Sequence, residues 1–171
     1  MQKGERRLQA KTKSELADGA LLPKSDQRFE CIGAIDELSA QLALLSCGLM
    51  RVDALYVEAA LAELAALSAA LAKWENGSQD ARAASLDRIR AERDRLFPYA
   101  RQGFIRFSSC RAAAEVDLAR AICRRAEREL IRLFAEADDE AANNDLVYLD
   151  CLADWLYLFA CYLAGSAPPK A

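Results

Sequence analysis

The feature of this sequence that most restricts its fold is a helical repeat of apolar residues that runs through almost the whole chain. Apolar residues recur at intervals of three and four, and most of the seven glycines and four prolines fall between the periodic stretches. The pattern predicts five helices, at about residues 27–49, 53–74, 79–97, 109–137 and 144–164. Because strand-like alternation is confined to the short segment GFIRF, the predicted fold is all-α, a five-helix bundle.

Length and charge restrict the class of protein further. The 171 residues, 53% of them hydrophobic, suit one domain over residues 1–171 with a core large enough for independent stability. Acidic and basic residues are mixed along the chain and the formal net charge is −3, so we expect neither a nucleic acid nor a membrane as a partner. The charged N-terminal segment MQKGERRLQAKTK lacks the apolar stretch of a signal peptide, which predicts a cytoplasmic protein.

The composition also excludes several kinds of site. The sequence contains no histidine, and its six cysteines show no CxxC pairing. The usual zinc sites and the Ser/His/Asp and Cys/His catalytic arrangements are therefore excluded. Any chemistry must use carboxylates, arginine, lysine, asparagine or the substrate itself.

The fifth predicted helix has the composition of a membrane span, because residues 146–163 carry only two charges. Those two charges, Asp150 and Asp154, lie one turn apart near the middle, where a bilayer would penalise both. A central helix of the bundle explains the segment better. Two like charges at this spacing repel, so each needs a cation, an arginine or a protonated partner. The alternative for Asp154 is a purely structural ion pair with an arginine.

The fourth predicted helix combines an apolar stripe with charged residues on its flanks. The stripe consists of Val116, Ala119, Ile122, Cys123, Ala126, Leu130, Leu133 and Phe134. Arg125, Glu129 and Arg132 fall on the opposite side, where we expect water to be their partner.

Other charges of this helix lie along the edge of the stripe, where solvent is partly excluded. They are Arg120, Arg124 and Glu127, with Asp117 one turn before Arg120. Arginine at such a seam must meet carboxylates or a bound anion, and its forked donors suit phosphate oxygens. Periodicity alone leaves two interpretations open, an anion site or a ladder of ion pairs within the helix, and favours the ladder.

The first predicted helix carries acids on or near its buried side. Asp36 and Glu37 interrupt the apolar run CIGAIDELSAQLALL, and inward arginines of the fourth helix are plausible partners. Gly33 in mid-helix costs about 1 kcal/mol relative to alanine, which indicates close approach of another backbone or a ligand.

Three segments, in this order, resemble blocks of the ATP:corrinoid adenosyltransferases of the propanediol-utilisation type. They are KSDQRFECIGAIDELSA, FIRFSSCRAAAEVDLARAICRRAEREL and YLDCLADWLYLFA, and they cover most of the chain from Lys24 onward. The CRRAER motif is the most specific part. The resemblance implies a homotrimer of five-helix bundles that binds ATP and a reduced corrinoid such as cobalamin between neighbouring subunits.

The implied reaction transfers the 5'-deoxyadenosyl group from ATP to the cobalt of the corrinoid and releases triphosphate. It requires Mg2+ with the ATP, and a reductase as a further partner would deliver the electron that reduces cobalt. No histidine is needed, because the cobalt is the nucleophile and the protein supplies orientation and charge stabilisation.

The resemblance also assigns residues by position. Those matched to the nucleotide and its phosphates are Thr12, Ser14, Lys24, Arg124, Glu127, Arg128 and Asp150, with Glu127 at the metal. Asp36 and Arg120 match an intersubunit pair, and Phe104 matches an aromatic residue against the lower face of the corrin ring. Arg124 and Phe104 are the candidate catalytic residues.

The chain departs from the family pattern in several places. The segment AKTKSELADGALLPK replaces a longer TxTGDxGxT phosphate loop, so residues 1–24 are a variable segment that contains a remodelled loop. Asp150 replaces an asparagine that approaches ATP, and Asp117 replaces a histidine. The sequence therefore leaves two functions open: a divergent adenosyltransferase, or a non-catalytic trimeric relative that binds a corrinoid, a nucleotide or a protein.

Overall fold

The computed structural model describes residues 12–73, 79–103, 105–135 and 140–166. Its elements are a hairpin of β1 (Lys13–Glu15) and β2 (Leu21–Pro23), followed by α1 (Gln27–Ser46), α2 (Arg51–Lys73), α3 (Gln79–Leu96), a 3-10 turn (Phe97–Tyr99), α4 (Arg111–Leu133) and α5 (Glu140–Ser166). The predicted all-α bundle of five helices is confirmed over these residues.

The helix ends differ from the prediction by a few residues. Asp26 caps α1, since its carboxylate accepts a hydrogen bond from the backbone N of Arg28 at 3.0 Å. Compared with the predicted ranges, α1 ends three residues earlier, α4 is shorter at both ends, and α5 begins four residues earlier. Periodicity locates the middle of a helix, whereas caps and turns decide its ends.

The N-terminal hairpin is absent from the prediction. Ser14 pairs with Leu22 at the centre of two antiparallel strands of three residues each, and Gly19 in the connecting turn has φ +81°. Strands this short give no readable alternation. Among the described residues of the GFIRF segment there is no strand.

The helices pack in the order α2, α1, α4, α5, α3, and the largest contacts are those of α5 with α4 and of α1 with α4. Among the described residues, the three fully buried side chains of largest volume, Trp155, Tyr148 and Phe159, all come from α5. The apolar stripe predicted for α4 faces this core, with Leu133 and Phe134 partly buried at its end.

Among the described residues, two segments are long and apolar enough to span a membrane by composition, Asp53–Lys73 and Asn144–Gly165. The apolar window of the second is 61% buried and that of the first 28%. The core of the bundle therefore accounts for the composition of α5, as predicted for a central helix.

The thiol of Cys123 packs in this core. It is fully buried and lies 3.3 Å from the backbone O of Leu149, to which it donates. Burial raises the pKa of this thiol, and burial raises that of Cys31 to about 12. Both are small core residues rather than reactive thiolates, as expected for Cys123.

Candidate functional site

Arg124 of α4 lies at the seam with α5 and contacts three carboxylates. Its Nη1 is 3.0 Å from Glu127 Oε2 and 2.5 Å from Asp150 Oδ1, and its Nη2 is 2.8 Å from Asp154 Oδ1. The side chain of Arg124 is one-third exposed, while Asp150 and Asp154 are about half exposed. The seam predicted from periodicity is therefore present, and Asp150 and Asp154 of α5 both form ion pairs with Arg124.

The charges around Arg124 hold it in the ionised form. Burial lowers the pKa of its guanidinium, but hydrogen bonds to Asp150 and Glu127 more than offset burial, so the net shift is upward. One positive charge faces three carboxylates, so this group of four side chains carries an excess of negative charge. An anion that approaches Arg124 therefore meets carboxylates as well as the guanidinium.

The ladder of ion pairs within α4 is also confirmed. Arg120 Nε lies 2.7 Å from Asp117 Oδ1 at i,i+3 spacing, and Arg124 with Glu127 repeats the spacing. These pairs do not exclude an anion site, because the ladder leaves the same arginines facing a cavity.

The cavity beside Arg124 has a volume of about 530 Å³ and lies among α3, α4, α5 and the turn after α3. It is lined by Arg93, Asp94, Phe97, Ala100, Arg120, Arg124, Ala153, Asp154, Tyr157 and Leu158. Asp150 and Glu127 lie outside this lining and contact Arg124 from beyond it.

Sequence reasoning missed several of these lining residues. Tyr157 follows Asp154 by one helical turn on α5, so helical spacing could have placed both on the same face. Its hydroxyl donates to the backbone O of Arg101 at 2.6 Å, which ties α5 to the loop after α3. Phe97, 67% exposed, precedes a proline and gives no sequence signal for a cavity wall.

The opposite side of α4 contacts α1, and here the prediction that water is the partner of Arg125 and Glu129 is wrong, whereas Arg132 is exposed as predicted. Arg125 forms an ion pair with Glu37 of α1, and the amide of Gln27 donates to Glu129 at 2.9 Å. Arg132 pairs with Glu129 within the helix. The hydrogen bond from Arg132 lowers the pKa of the Glu129 carboxyl most, and the hydrogen bond from Gln27 lowers it further. The prediction assumed that only the apolar stripe of α4 is covered by other helices. In the structure α1 also packs against the charged residues beside the stripe.

Lys24 lies on this second side, away from Arg124. It lines a smaller cavity of about 210 Å³ together with Gly33, Glu37, Arg125 and Glu129, among other residues. Nothing lies within 4 Å of a Cβ built on Gly33, so the expected close approach of another backbone does not occur within the described chain. The glycine borders open space instead.

The hairpin places the remodelled loop next to α1. Ser14 lies in β1, and the backbone N of Lys24 donates to the backbone O of Thr12 at 2.8 Å. At the turn, the carboxylate of Asp18 accepts from the backbone N of Ala20 at 2.8 Å and pairs with Arg28 at 2.9 Å. These two contacts, in that order, lower the pKa of Asp18.

Asp36 and Arg120 have separate partners within the chain. Asp36 and Glu37 are exposed, so the expectation that they lie near the buried side of α1 is wrong. Ser68 Oγ donates to Asp36 at 3.5 Å, whereas Arg120 pairs with Asp117. Asp36 and Glu37 are consecutive residues between the buried Ile35 and Leu38, and this position within the apolar run misled the prediction.

Phe104, Arg128 and Glu127 are the remaining predicted site residues. Phe104 lies outside the described residues. Arg128 is exposed on α4. Glu127 is bonded to Arg124, and over the described chain no three His, Cys, Asp or Glu side chains are grouped so as to hold a metal ion. The residues present thus do not form a magnesium site by themselves.

Comparison with known proteins agrees with this architecture. A family model described as cobalamin adenosyltransferase matches residues 8–163. The corrinoid adenosyltransferase PduO of Salmonella typhimurium is 32% identical over 86% of this chain, and this chain spans 45% of the length of that relative. A cobalamin adenosyltransferase of Cupriavidus metallidurans is 32% identical over 85% of this chain and 79% of its own length.

Solved structures share the fold. A variant PduO-type ATP:corrinoid adenosyltransferase from Lactobacillus reuteri, complexed with cobalamin and ATP, has a TM-score of 0.75 and 21% identity over 90% of this chain and 88% of that chain. Another variant from the same organism, complexed with ATP, has a TM-score of 0.76 at 21% identity, over 90% and 89% of the two chains. The family match over most of the chain and the 32% identity of the relatives carry the assignment, and the shared fold agrees with it: this chain belongs to the cobalamin adenosyltransferase family.

Proposed function

We propose that this protein transfers the 5'-deoxyadenosyl group of ATP to the cobalt of a reduced corrinoid, with release of triphosphate. The observation that carries the proposal is the position of Arg124, which the sequence resemblance matched to the nucleotide phosphates and which lines the cavity of about 530 Å³ at the α4–α5 seam. Family membership supports the same reaction.

The chemistry of the cavity suits these substrates. Arg93, Arg120 and Arg124 offer guanidinium groups to a triphosphate, whose charge grows on the leaving oxygen as the bond to the 5' carbon breaks. Phe97 and Leu158 contribute an apolar wall of the kind on which the face of a corrin ring can lie. The cobalt of the substrate is the nucleophile, so the protein needs to orient and to stabilise charge rather than to supply a base.

A second copy of the chain would complete the site. The predicted nucleotide residues fall into two groups within one chain: Thr12, Ser14 and Lys24 beside α1, and Arg124 with Asp150 at the α4–α5 seam. A homotrimer that places α1 of one subunit against α4 of the next would bring the two groups together, and would allow Asp36 to reach Arg120 of its neighbour.

Three further properties belong to the same proposal. Mg2+ would arrive with the phosphates of ATP, since the described carboxylates are not grouped for it. The protein would act in the cytoplasm with a reductase as electron donor. Residues 1–171 would form one domain, in which residues 1–24 carry the remodelled loop.

The test is an assay of the purified protein with chemically reduced cobalamin, ATP and Mg2+. We expect adenosylcobalamin to form, as its absorption spectrum reports, and Arg124→Ala to remove the activity while the helical content by circular dichroism stays the same. The proposal is wrong if no product forms under conditions where a known family member turns over.

A second candidate is a non-catalytic relative, and Asp150 favours it. This carboxylate, where the family pattern has an asparagine that approaches ATP, contacts Arg124 and would repel phosphate. In that case the protein binds cobalamin or ATP in an equilibrium assay, yet the reduced cobalamin is recovered unchanged.

A further inference from the structure

Asp150 differs from the other two carboxylates that hold Arg124. It makes the shortest contact of the three, 2.5 Å to Nη1, and it is the most exposed, at 53% of its side chain. Asp154 forms part of the cavity wall, whereas Asp150 contacts Arg124 from outside the lining. A substitution of Asp150 therefore changes the charge next to Arg124 and removes a contact that holds its side chain. It does not remove a residue that lines the cavity.

The contacts of Arg124 also use donors that an anion would need. Glu127 and Asp150 both bind Nη1, and Asp154 binds Nη2, so three of the five N–H donors of the guanidinium already face carboxylates. A phosphate oxygen must either displace one of these carboxylates or bind beside it. Both routes cost free energy, because like charges a few ångströms apart repel and these groups are only partly screened.

Glu127 and Asp154 are less suited than Asp150 to control how an anion reaches Arg124. Glu127 is on the same helix as Arg124, three residues away, and is 18% exposed, so it moves with the arginine. Asp150 and Asp154 are both on α5, but Asp154 also lines the cavity, so a change there would alter the cavity wall itself. Asp150 contacts Arg124 from outside the lining.

We propose that Asp150 is a positioning residue that competes with polyphosphate for Arg124 and so lowers the affinity of the cavity for the triphosphate chain of ATP. This inference rests on the proposed function, because it takes the triphosphate chain as the ligand. It predicts that removal of an acidic side chain improves binding, which is the opposite of what loss of a direct ligand contact would give.

The experiment measures binding of metal-free ATP and of inorganic tripolyphosphate by calorimetry in EDTA, without corrinoid. Asp150→Asn should bind both anions about tenfold more tightly than the wild-type chain, the size expected for one nearby unit charge at a partly exposed site. The gain should shrink as salt is added, because the repulsion it removes is screened. Asp150→Glu restores the charge and should bind like the wild type.

A matched control removes the same charge elsewhere. Glu58 is exposed on α2, which packs against α1, so Glu58→Gln changes the net charge equally without contact to Arg124. We expect no change in its affinity for either anion. An equal gain in Glu58→Gln and Asp150→Asn would overturn the inference, because net charge alone would then explain it.

The remaining outcomes separate this inference from the proposed function. Unchanged or weaker binding by Asp150→Asn, with circular dichroism that shows an intact fold, overturns the inference even where the wild type makes adenosylcobalamin. Tighter binding in a chain that makes no adenosylcobalamin supports the inference and contradicts the proposed reaction. Asp150→Ala gives the same readout if the asparagine variant fails to fold.

Discussion

Two neighbouring pairs of charged residues are used differently in this chain, Arg124 with Arg125 on α4 and Asp36 with Glu37 on α1. Arg125 and Glu37 bind each other across the α1–α4 seam, so both charges have a partner within one chain. Arg124 instead faces the α4–α5 seam and a cavity of about 530 Å³, while Asp36 is exposed on α1.

The difference follows from the 100° turn between successive residues of a helix. Adjacent residues therefore meet different neighbours: Arg125 and Glu37 meet between α1 and α4, whereas Arg124 faces α5 and the cavity. Asp36 lies on the side of α1 that faces Ser68 of α2. Adjacent residues of one motif, CRRAER, thus have separate partners: Arg125 contacts Glu37 of α1, and Arg124 contacts Asp150 and Asp154 of α5.

The largest expected effect is that of Arg124→Ala. We expect ATP-dependent formation of adenosylcobalamin to fall by roughly 100-fold or more, because one well-placed donor to developing charge contributes on that scale. Helical content should not change, since the side chain is partly exposed and lies at a seam. Steady-state assays and circular dichroism measure the two properties, and unfolding of the variant would show that Arg124 is structural.

The second expected effect concerns assembly. Asp36→Ala should weaken a homotrimer about tenfold, because an intersubunit ion pair with Arg120 would be lost. Glu37→Ala is the matched control, since Glu37 pairs within the chain and should leave assembly unchanged. Sedimentation velocity over a range of concentrations measures both. Equal sedimentation of Asp36→Ala and the wild type would count against the intersubunit pair.

Arg125→Ala should have a smaller effect, and on stability rather than on chemistry. The pair of Arg125 with Glu37 is 44% and 52% exposed, so its loss should lower the free energy of unfolding by less than about 1 kcal/mol. Urea denaturation measures this change. A loss of activity as large as that of Arg124→Ala would show that both seams of α4 serve the ligand.

The smallest expected effect is at the hairpin. Contacts with Ala20 and Arg28 lower the pKa of Asp18 below its ordinary 3.8, so its contribution to the folded hairpin is complete above that pH. The contribution is lost as the pH falls through the lowered value. Carboxyl NMR should find this pKa below 3.8 and should find it closer to 3.8 in Arg28→Ala; an unchanged pKa in that variant would exclude the ion pair as a cause.

Some of the site could be read from the sequence and some could not. The i,i+3 and i,i+4 spacings predicted that Arg120, Arg124 and Glu127 share the edge of the α4 stripe, and they do. The same spacing placed Arg125 and Glu129 in water, which is wrong because it contains no information about which helix packs against which flank. The cavity wall from α3, including Arg93 and Phe97, is likewise a product of how distant segments meet.

The sequence by itself determined the number and type of the long elements and the buried stripe of α4, because helical periodicity and the cost of exposing apolar side chains depend on local order along the chain. It also excluded histidine chemistry. Tertiary structure alone decided that Asp150 and Asp154 of α5 share Arg124, that Glu37 takes Arg125, and that Lys24 lies apart from Arg124. Those outcomes depend on the order α2, α1, α4, α5, α3, in which residues distant in the sequence meet at short range.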